Sequence, residues 1–114
     1  ICFGFFYARD LAMAATLRCL EVLMRRNVHG IRRFGAAALD LAAVADGSYG
    51  AFFEFELQPW DMAAGNLIVA ESGGKVTDCV GDSISCHTPS SILATNARVH
   101  DQLLPIVQEH FQSY

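Results

Sequence analysis

The chain has 114 residues, a formal net charge of −4, 53% hydrophobic residues and 18% charged ones. The length suits one domain, the acidic balance excludes the basic footprint of a nucleic-acid binder, and no apolar run is long enough to cross a bilayer. So large an apolar share in so small a domain implies that part of the surface meets another domain or subunit. The chain starts at Ile1 rather than Met, directly in a strand-like segment without a basic leader, so it reads as cut from something longer. Cys2, Cys19, Cys79 and Cys86 show no Cys-x-x-Cys spacing. They read as free, mostly buried thiols of a reducing compartment rather than as a zinc site.

In chain order, the aromatic run Ile1–Tyr7 predicts a buried strand. Asp10 offers an N-cap. Leu17, Leu20, Leu23 and Met24 then recur at helical spacing, which predicts an amphipathic helix from Leu11 to Arg26 stopped at Asn27. Val28 to Phe34 reads as a short strand and Gly35 as a turn into a helix from Ala36 to Ala45, closed by Asp46-Gly47. That helix is apolar all round, which predicts a central position. Its start carries nothing larger than methyl for three residues, so either helices pack tightly there or its backbone N–H groups hold an anion or a ligand oxygen. Asp40, a carboxylate inside this helix, needs a partner. Arg32 or Arg33 is near in sequence, and a structural ion pair is the expectation.

Ala51–Leu57 alternates as a strand, with Phe53, Phe55 and Leu57 on one face and Phe52, Glu54 and Glu56 on the other. Glu54 thus lies a few residues before Asp61, and carboxylates gathered there repel unless a cation or a hydroxyl-bearing ligand intervenes. The stretch from Pro59 to Gly74 is the most informative. Proline suits a first turn, Asp61 suits the positive helix end, and Gly73-Gly74 stops the helix. Between them run Ala, Gly, Leu, Ile and Val, predicting a helix buried over most of its surface. The trio Ala63-Ala64-Gly65 allows close approach to the backbone. A capping carboxylate on a buried helix accounts for these features, and so does a carboxylate that meets a cation beside an anionic ligand. Lys75–Asp78 and Ser91–Asn96 read as strands around a polar loop. Ala97 to about Gln112 reads as a final helix that Pro105 kinks or delays. His100 and His110 are expected on its exposed side. Strands alternating with helices predict an α/β domain with a mixed, mostly parallel sheet and flanking helices.

The string Trp60-Asp61-x-Ala63-Ala64-Gly65, followed by Glu71-Ser72-Gly73-Gly74-x-Val76, resembles the second signature of the inositol monophosphatase family, magnesium-dependent and lithium-sensitive phosphatases. The resemblance covers nearly the whole chain. Phe3-Gly4-Phe5-Phe6-Tyr7-Ala8-Arg9-Asp10 is similar to the family's Thr-Gly-Phe-Pro-Tyr-x-x-Asp, without its Thr and Pro. Gly35-Ala36-Ala37-Ala38 is similar to the Gly-Ser/Thr-Ala-Ala turn that contacts substrate, without the hydroxyl at Ala36. Glu54 falls where the family places an acidic residue that binds sugar or cyclitol hydroxyls. Asp40 falls in a Leu-Asp-Leu that looks structural, and the segment ending at Asn96 precedes the family's terminal helix.

The resemblance therefore implies residues 1–114 to be the C-terminal α/β domain of the sugar-phosphatase fold. Asp61 is expected to bind Mg2+, and Gly35, Ala36, Ala37, Glu54 and Asp61 to bind a small phosphorylated polyol. The family's two upstream signatures, a glutamate motif and Asp-Pro-Ile/Leu-Asp-Gly-Thr/Ser, are absent from these residues. Magnesium is held weakly by one carboxylate, so the chain is expected to be inactive without the upstream half, which would supply the other ligands and the base. Inositol monophosphate is the expected substrate type. Histidinol phosphate, fructose bisphosphate and adenosine bisphosphate, substrates of relatives, remain open. The resemblance also implies a homodimer, and a cytoplasmic location is expected. A different class stays open as well: a non-catalytic dimerisation or interaction domain that keeps the phosphatase fold.

Overall fold

Alternating strand and helix patterns resolve into three layers in the computed structural model, which describes residues 1–5 and 9–114. In order the elements are β1 (Cys2–Phe3), α1 (Leu11–Arg25), α2 (Ala37–Ala45), β2 (Ala51–Leu57), α3 (Pro59–Glu71), β3 (Lys75–Thr77), β4 (Ser90–Thr95) and α4 (His100–Phe111). The sheet runs β1-β2-β4-β3. One face packs on α1 and α4 through Ala15, Cys19, Leu23, Leu103 and Val107. The other packs on α2 and α3 through Leu41, Val44, Met62 and Val69.

The α/β architecture and the mixed sheet agree with the sequence reading, but the parallel share is smaller than expected. Among the described strands β1 pairs parallel with β2, whereas β4 pairs antiparallel with both β2 and β3. The β2–α3–β3 crossover does leave β2 and β3 pointing the same way. The chain then returns through the loop after β3 and inserts β4 between them, so the hydrogen-bonded neighbours are antiparallel.

Local signals account for most boundaries. Asp10 caps α1, its Oδ1 accepting from the Ala12 and Met13 amides at 3.0 and 3.3 Å. Asn27, at φ 60°, takes the left-handed conformation that ends the helix. Of the strand expected over Ile1–Tyr7, Cys2–Phe3 pairs, and Phe6 and Tyr7 lie outside the described residues. The strand expected over Val28–Phe34 reduces to one bridge between Arg32 and Cys2. There the Arg32 amide donates to the Ile1 carbonyl at 3.0 Å and the Phe3 amide to the Arg32 carbonyl at 3.2 Å. Along β2 the alternation sends Phe53 and Phe55 to the α1/α4 side and Phe52 to the α2/α3 side. A register shift between Glu54 and Leu57 then turns Leu57 to the Phe52 side, against the expected pattern.

Helices α2 and α3 are not enclosed as their composition predicted. Met62, Gly65 and Val69 face inward, while Trp60, Leu67 and Ile68 form an outward stripe, Trp60 at 78% exposure and Leu39 of α2 at 71%. The small-residue trio serves helix packing. A Cβ on Gly65 would stand 2.7 Å from Leu41 Cβ, so the missing side chain is the seat of α2. The four cysteines are free thiols, three of them buried. Burial is the main cause that pushes Cys2, Cys19 and Cys79 up to about 12.

The last helix begins at His100, later than expected, since Ala97 adopts φ 74°. His100 itself is fully buried rather than exposed. Its Nε2 and Nδ1 lie 3.0 Å from the hydroxyls of Thr77 and Thr95. The Thr77 hydroxyl donates to the Asp78 carbonyl at 2.7 Å, so it accepts from Nε2–H. Nδ1 then accepts from Thr95, whose oxygen takes the Ala97 amide at 3.0 Å. The network thus assigns a neutral ring that ties β3, β4 and α4 together. His110, also expected on the surface, is half-buried, its Nδ1 2.8 Å from the Ile106 carbonyl.

Two outcomes follow for stability. Gly65→Ala lowers it by about 1–3 kcal/mol through overpacking against Leu41, despite alanine's helix advantage of up to ~1 kcal/mol, as thermal melts will read. Burial and then Lys75 hold the His100 pKa below its ordinary 6.5. The unfolded chain therefore takes up the proton first, and the ring's contribution is complete above pH 6.5 and lost as pH falls below it. His100→Ala, which leaves a cavity and removes a partner from each hydroxyl, costs roughly 2–4 kcal/mol in urea unfolding. Nitrogen-15 spectra of the ring will show the Nε2–H tautomer.

Candidate active site

The N-terminal ends of α2 and α3 open beside the end of β2, and between them lies a cleft of about 400 Å³. It is lined by Gly35, Ala36 and Ala37 from the turn into α2, by Glu54 from β2 and by Asp61 from α3. All five residues singled out in the sequence therefore meet at one place.

Each wall has a local cause. Gly35 takes φ 83°, a left-handed turn that glycine adopts freely. Ala36 is the N-cap of α2 and makes no side-chain cap bond, so the first-turn amides are left without a side-chain acceptor. Asp61 is the third residue of α3, and its Oδ2 accepts the Gln58 amide at 3.2 Å. Its carboxylate is thus both a helix cap and a half-buried wall of the cleft. Glu54 is 7% exposed and lies against Gly4, where a Cβ would sit 2.5 Å from the carboxyl carbon. Gly4 is the space that lets this side chain lie down.

The electrostatics are one-sided. Among the described residues, Glu54, Asp61, Asp40 and Glu56 line the cleft against a single cation, Arg33. Burial first and Asp61 second push Glu54 up to about 7. Asp40 is 3% exposed and lifted to about 6 by burial. The ion pair expected for it is absent among the described residues: Arg33 acts on it only at a distance, and Arg32 bonds the Ile31 carbonyl at 2.9 Å. Arg33 instead lies 5.6 Å from the centre of the Phe5 ring. Neither Asp40 nor Arg33 was assigned to a ligand site from sequence. The signal for Asp40 was there, a carboxylate in an apolar helix five residues after the turn glycine Gly35. That for Arg33 was not, since basic residues in a loop are commonplace.

An anion does not enter such a cleft without cations beside it. The donors present are carboxylate oxygens, the hard kind that suits Mg2+ or Ca2+ rather than a soft metal. They fit a hard cation in kind but not in number. Among the described residues no three His, Cys, Asp or Glu side chains are grouped so as to hold one.

The family model for the inositol monophosphatase family matches residues 2–112. This chain belongs to the inositol monophosphatase family. It is 52% identical over 107 residues, 94% of its length, to a protein of Neisseria meningitidis serogroup B named a putative Nus factor SuhB. It is 49% identical over 79 residues, 69% of its length, to an inositol-1-monophosphatase of Caulobacter vibrioides. The inositol monophosphatase structure from Anabaena superposes on 96% of it with a TM-score of 0.82 at 36% identity. The chain spans less than half the length of these family members, 40% and 31% of the two proteins and 44% of the solved chain.

The displaced pKa of Glu54 has a measurable consequence. Folding favours its protonated form, so stability is highest below its ordinary value of 4.5 and declines as pH rises to about 7. The decline amounts to roughly 3 kcal/mol. Glu54→Gln removes it, raising the urea midpoint at about pH 8 while leaving that at about pH 4 nearly unchanged.

Proposed function

We propose that this chain is the C-terminal part of a magnesium-dependent phosphatase that hydrolyses a small phosphorylated polyol such as inositol monophosphate. The reading is carried by one observation, the meeting of Gly35, Ala36, Ala37, Glu54 and Asp61 in a single cleft. Asp61 would contribute one oxygen to a magnesium ion, and the chemistry such an ion would supply is neutralisation of the phosphate charge and polarisation of the ester. The open amides at the start of α2 would orient the ester oxygens, Ala36 acting through its backbone alone. Glu54 would accept hydrogen bonds from the polyol hydroxyls, and its placement next to Asp61 would set the alcohol beside the reacting phosphate. The remaining metal ligands and the base that activates water would come from the upstream half, so these 114 residues alone would be inactive.

The outward stripe of Trp60, Leu67 and Ile68 on α3, and the exposed Leu39 of α2, support a partner for these helices. We assign it to the upstream half of the same protein, and a homodimer and a cytoplasmic setting fit the same reading. No described helix is long and apolar enough to cross a membrane. A second reading, an interaction module without catalysis, is favoured by the same stripe and by the Nus-factor name of the Neisseria relative.

Phosphate release from myo-inositol 1-phosphate decides between them. The intact protein with magnesium is expected to turn over, and Asp61→Asn to lose activity at least ~100-fold, about 2.7 kcal/mol of transition-state stabilisation. The fragment alone is expected to show none. An inactive intact protein would leave the interaction module, and an active fragment would refute the need for the upstream half.

A further inference from the structure

Within that reading, one buried charged group in the cleft has no task. Asp40 is almost completely buried, lines the cleft with Glu54, and makes no hydrogen bond or ion pair among the described residues. Its oxygens are not sealed from solvent, so the carboxyl opens onto the cleft, where a ligand donor can take the place of water. The helix that carries it gives no local donor, since the residues of its first turn are alanines and a leucine. The Asp40 amide is used within the helix, donating to Ala36 at 3.0 Å, and the side chain is not the cap. What faces it is the cleft. Glu54, nine-tenths buried and likewise without a hydrogen-bond donor among the described residues, feels the Asp40 charge, and Arg33 acts on both.

We propose that Asp40 is a second substrate-binding carboxylate, which accepts a hydrogen bond from a ligand hydroxyl and with Glu54 selects polyol phosphates over phosphate esters that lack hydroxyls. Two acceptors from neighbouring walls match two hydroxyls of one ring or chain, and an aryl ester offers neither. Recognition of this kind discriminates strongly, because a ligand without the donor leaves both carboxyls unpaired. Asp40 is a specificity residue here and touches none of the reacting atoms.

The test compares myo-inositol 1-phosphate with p-nitrophenyl phosphate in the intact protein carrying this chain, with magnesium. Asp40→Leu is expected to raise KM for the inositol ester about 10- to 100-fold, the range for one lost charge-assisted hydrogen bond. It is expected to leave kcat within about twofold and to leave the KM for the aryl ester equal or lower, since the carboxyl that ester leaves unpaired is gone. Asp40→Asn, which keeps an acceptor, is expected to restore most of the affinity, and it carries the test if the leucine variant does not fold. Parallel losses on both esters, or no loss on either, would overturn the proposal and leave Asp40 a structural residue. Calorimetric binding of myo-inositol 1-phosphate separates this from the phosphatase reading. If the wild type binds without turnover, the phosphatase reading fails, and the ratio of the Asp40→Leu to wild-type Kd still decides the role of Asp40. If the wild type does not bind, both fail.

Discussion

The spacing of α2 and α3 is set by one contact, Leu41 seated where Gly65 has no side chain. Everything at the cleft depends on it. The two helices come close at their middles, and the space between their N-terminal ends and the end of β2 is the cleft. A wider pair would separate the uncapped start of α2 from the carboxylate in the first turn of α3. The family string around Asp61 therefore has two physical parts: an acid at the helix end, and a glycine four residues on that brings the neighbouring helix within reach.

The charge balance of the domain runs in two opposite senses. On the α2/α3 side of the sheet, Glu54 and Asp40 are held short of full ionisation by burial, a condition that acid relieves. Where β3, β4 and α4 meet, His100 is held neutral between two threonine hydroxyls, a condition that acid disrupts. Between pH 4.5, where carboxyls ordinarily titrate, and 6.5 the two effects offset one another. A flat stability profile over that range would conceal two opposed titrations. The difference in kind is instructive. His100 has every polar atom engaged within the fold, the condition of a structural residue. The two carboxyls accept no hydrogen bond among the described residues and open onto the cleft.

Much of the architecture was legible because local signals are strong where the backbone has few options. Asp10 before an amphipathic run, Asn27 and Gly73 at helix ends, and the glycine turn at Gly35 each mark a conformation that few residues adopt. Errors fell where the answer depends on what lies across the sheet. The β2 alternation held until the register shift near Leu57, which β2 and β4 create together. The antiparallel neighbours of β4 depend on where a returning chain inserts, and no periodicity within a strand encodes that. Asp40 was paired with a nearby arginine by sequence distance, yet Arg32 and Arg33 are drawn to the Ile31 carbonyl and the Phe5 ring.

The sequence marked Gly35 as a turn and Asp61 as a first-turn acid by local backbone chemistry, and its family resemblance nominated Glu54 beside them. Tertiary structure decided what is inside. Helix α3 is apolar on both sides, so its composition cannot distinguish Met62 and Val69, which meet the sheet, from Trp60, Leu67 and Ile68, which do not. The same holds for His100 and Asp40, polar residues on helices whose burial arises only when β3, β4 and the cleft walls close around them. Burial is a relation between distant segments, and a one-dimensional pattern specifies only those relations that repeat with the period of its own helix or strand.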